Sequence, residues 1–168
     1  MAKTIVPRID PGTSVAHRLV AFVATSPTGI SILRHVGPRL DPALVRYSGG
    51  RLSCVSPFPT LLMTHIGAKS GISRTTAAVY FTDSGRVILI ASNLGSSRHP
   101  AWYYNVRANP EVSLYGRRFN GRFRAEEITG RARGDLFQRA KEADSPYSWY
   151  ERVATPREIP LVAFSPLD

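Results

Sequence analysis

Two tight turns between segments of strand-forming residues set the strongest limit on how this chain can fold. Residues 83–85 (Asp-Ser-Gly) separate the segments 75–82 and 86–91, and residues 117–121 separate another such pair. Parallel neighbours would need a crossover of about a dozen residues or more, whereas antiparallel strands can be joined by turns this short. The sequence therefore predicts antiparallel strand pairs and argues against a parallel doubly wound sheet.

Short apolar or alternating segments rich in β-branched and aromatic residues predict about six strands. Strands joined by tight turns, with helices set to one side, are typical of an α+β protein. The pattern favours a barrel or half-open barrel with flanking helices. The expected strands cover residues 61–66, 75–82, 86–91, 110–115, 122–129 and 159–164.

Apolar residues at helical spacing predict helices both before and between these strands. The first helix has Thr13 or Ser14 as its N-cap, and the second ends at the pair Gly37-Pro38. Residues 1–12 look like a loose tail. The expected helices cover residues 15–25, 30–36, 100–108 and 134–143, with one further turn at 42–47.

The charge balance indicates an anionic partner. The chain has 168 residues, with 22 Lys and Arg against 12 Asp and Glu, and a formal net charge of +10 at pH 7. Such an excess suits nucleic acid, a membrane surface or an anionic small molecule, although it can also serve solubility alone. Because Cys54 is the one cysteine, no internal disulfide or cysteine-rich zinc site is expected. Without a secretory signal or an apolar run of roughly 20 residues, the chain is expected to be cytoplasmic.

The stretch GAKSGISR, residues 67–74, lies between two predicted strands. Its glycines allow a tight turn and the close approach of a ligand, while Lys69, Ser70 and Arg74 offer two cations and a hydroxyl. A phosphate or a carboxylate would suit this set. The glycine spacing is not that of a Walker loop, and an ordinary surface hairpin with basic residues is the alternative interpretation.

The stretch ASNLGSSRHPAWYYN, residues 91–105, joins an apolar strand to a predicted helix. A Gly/Ser loop before a helix N-terminus can present free N–H groups to an anion or to a polar ring edge. The alternative is a plain helix boundary with Trp102 in the core. If both stretches lie at one end of a barrel, they form a basic groove that suits a long anionic small molecule better than a nucleic acid duplex.

Near the C-terminus, the stretch SPYSWYERV (residues 145–153) places Tyr147 and Tyr150 on one face of a helix. These tyrosines can line an apolar pocket and offer a hydroxyl, or they can simply pack against the barrel. The four histidines are dispersed, and the chain has neither an H-E-x-x-H pair nor a G-x-S-x-G elbow. A metal site is therefore not expected, and an enzyme of this kind would need a bound cofactor to bring its chemistry.

Several of these stretches resemble the deazaflavin-dependent nitroreductase family, which are split β-barrel oxidoreductases of actinobacteria. The resemblance rests on GAKSGISRTTAAVYF, on RVILIASNLGSSRHPAWYYNVRANPEV, on the late tyrosines and on TPREIPLVAF. It implies a six-stranded, mainly antiparallel split β-barrel over residues 48–168, with coenzyme F-420 (8-hydroxy-5-deazaflavin) as cofactor. Residues 1–47 would be part of the same domain or an extension that faces a membrane.

The resemblance assigns the cationic turn to the tail of the coenzyme. Lys69, Ser70 and Arg74 would bind its phosphate and its oligoglutamate chain. Members of the family usually have Arg where Ala68 stands, so tail binding should be weaker, without a change of cofactor. Val79 stands where some nitroreductases have a pocket tyrosine, which argues against nitroimidazole reduction in particular.

The resemblance also implies the remaining site residues. Ser92, Tyr147 and Tyr150 would face the substrate as the catalytic residues. The rest of the coenzyme site would be formed by Gly71, Thr76, Ala77, Ala91, Ser92, Asn93, Gly95, His99, Pro100, Ala101, Trp102 and Asn105.

The implied function is hydride transfer from the reduced coenzyme to a quinone, an activated enone, a nitroaromatic or a lipid-like unsaturated compound. Solvent, or a tyrosine or serine hydroxyl, would protonate the product. Two other interpretations stay open: an FMN-binding barrel or flavin carrier, and a basic protein that binds an anionic membrane surface through residues 13–47. We expect no nucleic acid partner, a monomer or homodimer, and a cytoplasmic location, either free or peripheral at the inner face of the cell membrane.

Overall fold

Six antiparallel strands close into a barrel in the computed structural model, which describes residues 4–167. Around the barrel, the first three strands are followed by the sixth, the fifth and the fourth, which pairs with the first. The predicted α+β fold with a six-stranded antiparallel barrel is confirmed. The strands are β1 (Thr60–Ile66), β2 (Ser73–Asp83), β3 (Arg86–Ile90), β4 (Glu111–Gly116), β5 (Phe119–Ile128) and β6 (Leu161–Pro166).

Six α-helices accompany the barrel in the part of the chain that the structure describes. Three precede the first strand, one lies between β3 and β4, and two lie between β5 and β6. A single 3-10 turn, Asn93–Gly95, follows β3. The helices are α1 (Val15–Thr25), α2 (Pro27–His35), α3 (Gly37–Tyr47), α4 (Ala101–Ala108), α5 (Gly130–Glu142) and α6 (Tyr147–Ala154).

Several helix starts differ from expectation. α2 begins at Pro27, and α3 begins at the pair Gly37-Pro38, which was expected to end α2. A proline in the first turn lacks only an N–H that has no partner within the helix, so it begins a helix without cost. α3 therefore runs for 11 residues with Pro42 inside it, where the sequence suggested a single turn. α5 begins at Gly130, four residues early, because its first turn is mostly exposed and lacks the apolar spacing used to predict it.

The hairpin between β4 and β5 is tighter than predicted. Only Arg117 and Arg118 lie between the strands, and Gly121, which was expected in the turn, pairs with Leu114 inside the sheet. A Cβ placed on Gly121 would lie 2.8 Å from Oγ1 of Thr4. The glycine gives the Thr4 side chain room to approach the strand at that point.

The N-terminal segment is bound to the barrel, so the expectation of a loose tail is wrong for residues 4–12. The Ile9 N–H donates to Oγ1 of Thr82 in β2 (2.6 Å), and the Ile9 carbonyl accepts from the Thr82 N–H (2.8 Å). The Thr82 hydroxyl also donates to the carbonyl of Pro7 at 3.1 Å. Val6 and Ile9 pack against the apolar core, a contact that their irregular spacing did not reveal. Residues 1–3 of the expected tail lie outside the described residues.

Strand β3 is buried on both faces, and this organises the core. Val87 and Leu89 belong to the apolar cluster of the barrel interior, whereas Ile88 and Ile90 belong to a second cluster on the outer face. Helices α5 and α6 complete the second cluster, for example through Phe137. Burial on both sides explains why RVILI lacks the polar alternation of a half-exposed strand. As a result, α6 lies beside the loop that leaves β3.

Replacing Thr82 with Val keeps the shape of the side chain but removes the hydroxyl that binds Ile9 and Pro7. Because the half-buried Ile9 N–H would lose its partner, we expect the free energy of unfolding to fall by about 1–3 kcal/mol. The control is Thr75→Val, whose exposed hydroxyl contacts that of Thr64 at 3.2 Å, and the expected change there is below about 0.5 kcal/mol. Urea denaturation measures both variants, and equal losses would contradict a role for the N-terminal segment.

Candidate functional site

A cavity of about 300 Å³ opens where the loop after β3 meets helices α1, α2 and α6. One wall is apolar helix surface, formed by Val20 and Ala24 of α1 and Leu33 of α2. Another wall is formed by residues 76–79 of β2 and by loop residues 92–94. The remaining lining residues are Val55, Phe58, Ile90, Pro100, Trp102, Pro146, Tyr147 and Tyr150.

Many of the site residues predicted from the sequence line this one cavity. They come from β2, from the stretch 92–102 and from α6. Trp102 also belongs to the barrel core, so one side chain both packs in the core and lines the cavity. The predicted residues brought together here are Thr76, Ala77, Ser92, Asn93, Pro100, Trp102, Tyr147 and Tyr150.

The loop after β3 has a left-handed backbone. Asn93, Leu94 and Gly95 follow one another with φ angles of 50°, 54° and 74°. This conformation costs about 1 kcal/mol or more for a residue with a side chain, so other contacts must hold it. The Asn93 side chain supplies one, because its Nδ2 donates to the carbonyl of Arg98 at 2.8 Å. Gly95 lies directly against α6, where an added Cβ would come within 2.3 Å of Cγ2 of Val153.

Arg157 supplies the other contacts, since its guanidinium donates to three backbone carbonyls of the loop. Nε donates to Ser96 at 2.9 Å, Nη2 to Ser92 at 2.7 Å and Nη1 to Ala91 at 3.3 Å. Nη1 also donates to Nδ1 of His99 at 3.0 Å. Burial lowers the pKa of this side chain from its ordinary value. Sequence reasoning did not identify Arg157, whose only signal was its place in the stretch TPREIPLVAF.

His99 lies in a neighbouring polar cleft and not among the residues that line the cavity. It shares this cleft with Tyr103, Glu127 and Arg133. The Tyr103 hydroxyl donates to Oε2 of Glu127 at 2.9 Å. Desolvation, and then the positive charge of Arg157, lower the pKa of His99. The neutral ring can therefore accept the hydrogen bond from Arg157, and His99 supports the loop from the cleft.

The turn between β1 and β2 presents the predicted anion-binding residues to solvent. Lys69, Ser70, Gly71 and Arg74 are all exposed. A Cβ on Gly67 would lie 2.4 Å from Oγ of Ser70 and 3.5 Å from Nε of Arg74, so these two polar groups converge on one small region. Within residues 4–167, neither Lys69 nor Arg74 forms an ion pair. Both cations are thus available to an anion.

Asn105 connects this turn to α4. Its Oδ1 accepts from the Ala68 N–H at 2.9 Å, and its Nδ2 donates to Nδ1 of His65 at 3.2 Å. Nε2 of His65 then donates to Oγ1 of Thr76 at 3.0 Å. Desolvation, and then the charge of Arg74, lower the pKa of His65 and keep its ring neutral for this arrangement. Asn105, predicted as a coenzyme contact, is buried and uses both ends of its amide inside the protein, where it orients the cationic turn.

The two tyrosines of α6 have different surroundings. Tyr150 is buried, and its hydroxyl donates to the carbonyl of Ala24 at 3.3 Å, which connects α6 to α1. Tyr147 is half-buried and lines the cavity, and its hydroxyl has no hydrogen-bond partner among the described residues. Burial raises the pKa of both phenols above the ordinary value of 10.0, so both stay protonated at neutral pH. The Tyr147 hydroxyl therefore remains protonated and is not committed to a hydrogen bond among the described residues.

The remaining predicted contacts lie at the margin of the site. Ala91 is buried beneath the loop, Gly95 packs on α6, and Ala101 is exposed in the first turn of α4. Sequence reasoning missed the helix side of the cavity, including Val20 and Leu33. Apolar spacing predicts a helix, but it does not tell which other element its apolar face will meet.

The family of the chain follows from comparison with known proteins. A family model described as F420H(2)-dependent quinone reductase matches residues 38–166. The chain belongs to this family. The match includes the whole barrel and most of α3, whereas α1 and α2 lie before it.

Two similar proteins of Mycobacterium tuberculosis are named as F420H(2)-dependent quinone reductases, the second of them as putative. An F420H(2)-dependent quinone reductase of Mycobacterium tuberculosis is 40% identical over 86 residues, which are 48% of this chain and 58% of that protein. The chain thus spans little more than half the length of the first relatives it matches. A second protein of the same organism, whose name assigns it to the same family, is 34% identical over 114 residues, which are 66% of this chain and 92% of that protein.

Solved structures agree with the family. An F420-H2 dependent reductase (FDR-A) has a TM-score of 0.57 and 36% identity, and the match covers 64% of this chain and 94% of that chain. A structure described as a domain-swapped dimer has the same TM-score and identity, with 64% of this chain and 80% of that chain covered. The cofactor expected from the sequence, coenzyme F-420, is confirmed by the family, and the FMN alternative is not supported.

Gly95→Ala tests the contact between the loop and α6. A Cβ at this position would meet Val153 and would also sit on a left-handed backbone, so we expect a loss of about 2 kcal/mol or more in the free energy of unfolding. The matched control is Gly134→Ala in α5, where nothing lies within 4 Å of the new Cβ. That change should raise stability by about 0.5–1 kcal/mol. Thermal unfolding compares the two variants, and a stable Gly95→Ala protein would contradict the close contact.

Proposed function

We propose that this protein is a coenzyme F-420-dependent reductase that transfers a hydride from the reduced coenzyme to an electrophilic acceptor of the quinone type. One observation carries the proposal. The residues predicted to hold the ring and the acceptor converge on one apolar cavity, and the cationic turn leads directly into β2, the strand that lines it. In a member of a coenzyme-dependent reductase family, this arrangement supports chemistry that the coenzyme brings and the protein orients.

The residues present fit the chemistry of the coenzyme. Its tail is anionic, and Lys69 and Arg74 supply two exposed cations with the Ser70 hydroxyl close by. A small cavity of about 140 Å³ is lined by Thr75, next to Arg74, and by Asp41. It shares Leu33, Thr76 and Ala77 with the main cavity. An elongated ligand can therefore extend from the turn to the loop after β3. When bound there, the coenzyme supplies the hydride.

Tyr147 is the side chain best suited to protonate the reduced acceptor. Tyr147 lines the cavity, and its hydroxyl stays protonated at neutral pH and makes no hydrogen bond within residues 4–167. A positioned hydroxyl of this kind can act as a general acid. Tyr150 instead binds the carbonyl of Ala24 and so shapes the wall. Ser92 offers a second hydroxyl in the same cavity.

The lining of the cavity favours a flat, weakly polar acceptor. Val20, Leu33, Phe58 and Val79 present only carbon to it, while a few hydroxyls stand at its edge. Pockets of this composition select apolar rings and orient them through a small number of polar contacts. We therefore place quinones first among the acceptors, ahead of activated enones, nitroaromatics and lipid-like unsaturated compounds.

The decisive experiment combines the purified protein with reduced coenzyme F-420 and menadione, and follows the return of the fluorescence of the oxidised coenzyme. We expect turnover only when both the protein and the quinone are present. In a binding titration, FMN serves as the comparison ligand and should bind more weakly than coenzyme F-420. A protein that neither binds coenzyme F-420 at micromolar concentration nor oxidises its reduced form would refute the proposal.

The same assay with Tyr147→Phe tests the proton donor. We expect kcat to fall by about tenfold or more, as for the loss of a general acid, with the Kd for the coenzyme unchanged. Tyr104→Phe is the control, because Tyr104 is exposed on α4 and does not line the cavity. An unchanged kcat in Tyr147→Phe would assign protonation to Ser92 or to solvent.

The charge of the turn between β1 and β2 should decide the affinity for the coenzyme. Replacing Lys69 and Arg74 together by Ala removes two charge-assisted contacts of about 1.5–3 kcal/mol each, so Kd should rise about 100-fold or more. The control replaces Arg117 and Arg118 by Ala, which removes the same charge from the exposed β4–β5 turn. Fluorescence titration at two salt concentrations measures Kd. Equal losses in both double variants would mean that general charge, and not this turn, attracts the coenzyme.

We further propose that helices α1–α3 bind the surface of an anionic membrane. Four arginines and a histidine of this segment are exposed, while its one acid, Asp41, is buried. Apolar side chains surrounded by cations suit anionic lipid. No helix among residues 4–167 is both long and apolar enough to cross a membrane. The exposed apolar side chains are Val15, Leu19, Phe22, Val23, Ile32, Val36, Leu40, Leu44 and Tyr47.

Helices α1 and α2 also line the cavity, which suggests how the chain is organised into domains. We propose that residues 1–47 belong to one domain with residues 48–168 and do not form a separate extension. Their inner face would close the acceptor site while their outer face meets lipid. The protein would then be cytoplasmic and peripheral at the inner face of the cell membrane.

Co-sedimentation with vesicles rich in phosphatidylglycerol tests the membrane proposal. We expect Phe22→Asp combined with Leu19→Glu to abolish co-sedimentation without unfolding the protein, because these side chains are 74% and 64% exposed. Ile72→Asp is the matched control, since Ile72 is 60% exposed on the β1–β2 turn. If the unaltered protein stays in the supernatant at low salt, the membrane proposal is wrong.

A further inference from the structure

Arg157 has no part in the proposed chemistry. Its guanidinium N–H groups nevertheless donate hydrogen bonds to the loop that forms one wall of the cavity. Its nitrogen atoms contact the carbonyl oxygens of Ala91, Ser92 and Ser96 and Nδ1 of His99. It forms no ion pair with an acid in the part of the chain that the structure describes. These hydrogen bonds, and not an ion pair with a carboxylate, therefore replace the water contacts that the guanidinium loses on burial.

The three carbonyls flank the left-handed residues. Two of them precede the turn Asn93–Gly95 and the third, that of Ser96, follows it, so one planar guanidinium holds both ends. Without it, Asn93 and Leu94 would relax toward negative φ, because the left-handed conformation is unfavourable by about 1 kcal/mol for each residue with a side chain. Both residues line the cavity together with Ser92, so relaxation would displace three lining groups at once.

We propose that Arg157 is a positioning residue. By holding both ends of the turn, it sets the places of Ser92, Asn93 and Leu94 in the cavity and thereby the affinity for the coenzyme. The effect on affinity rests on the proposed function, whereas the effect on the turn does not depend on any ligand.

Arg133 provides the matched control. It is also a half-buried arginine, and it lines the same polar cleft as Arg157. Its Nη2 donates to the carbonyl of Ile159 at 2.7 Å, and its Nε lies 3.2 Å from Oε1 of Glu158. Its contacts thus go to the segment before β6 and not to the loop, so a change at Arg133 alters the cleft without releasing the turn.

The experiment compares Arg157→Lys with Arg133→Lys in the full chain. Lysine keeps the charge but cannot contact both ends of the turn at once. Hydrogen exchange of the backbone amides of residues 91–99, read by mass spectrometry, needs no coenzyme. We expect this segment to exchange about tenfold faster in Arg157→Lys and unchanged in Arg133→Lys. Oxidised coenzyme F-420, titrated by fluorescence, should bind Arg157→Lys about tenfold more weakly and Arg133→Lys with unchanged Kd.

Each result has a distinct meaning. Unaltered exchange of residues 91–99 in a folded Arg157→Lys protein would overturn the positioning role. Faster exchange, in a chain whose unaltered form does not bind the coenzyme, would support that role for the turn and refute the proposed function. If neither Arg157→Lys nor Arg157→Gln folds while Arg133→Lys does, Arg157 supports the whole barrel, and the positioning role is also overturned.

Discussion

Burial of strand β3 on both faces is the constraint on which the rest of the structure depends. Its inner face completes the barrel interior, but its outer face stays apolar and must be covered, which α5 and α6 do. Covering it brings Tyr147 and Tyr150 beside the loop that leaves the strand. Gly95 then allows that loop to touch α6 directly. The pairing of loop and tyrosines is thus a consequence of how an apolar strand is buried.

Strand β2 connects the two chemically different parts of the site. At its beginning, Arg74 is exposed near Lys69, and further along, residues 76–79 line the apolar cavity. A strand rises about 3.3 Å per residue, so Arg74 and Val79 are separated by about 16 Å along it. That length suits a ligand with an anionic chain at one end and a ring at the other. Two of the 22 basic residues, Lys69 and Arg74, therefore stand at the end where such a ligand would carry its anionic chain.

The sequence was most informative where a signal is local. The turn at 83–85 and the apolar run before Ala91 predict strands from neighbouring residues alone. Motif resemblance pointed to loop residues between Ser92 and Trp102, several of which line the cavity. Contacts between residues that are far apart in the chain were harder to predict from the sequence. Ile9 docks on Thr82, which is far away in the chain, so no periodicity reports it. Nor does composition show that Arg157 would bind carbonyl groups of a loop some 60 residues earlier, because an arginine in a polar stretch is usually solvated.

Helix and strand ends predicted at prolines and glycines were wrong in places, because each of these residues has more than one structural use. Pro38 can follow a helix or begin one, and only the packing of α3 against the first two strands selects between them. Gly121 looked like a turn residue, but its missing side chain makes room for Thr4. Asn105 and His99 were predicted as coenzyme contacts from the sequence, and their hydrogen bonds inside the protein depend on partners that sequence spacing does not reveal.

The contribution of α1 and α2 to the cavity has a consequence for how such enzymes can diverge. The family match begins at residue 38, yet Val20, Ala24 and Leu33 form part of the cavity wall. Part of the cavity wall is therefore encoded before the matched region, whereas Val79, Ser92 and Tyr147, which line the same cavity, lie within it. Under the proposed function, substitutions in the first two helices, or their exchange between relatives, would alter acceptor preference and leave the cationic turn at Lys69 and Arg74 unchanged.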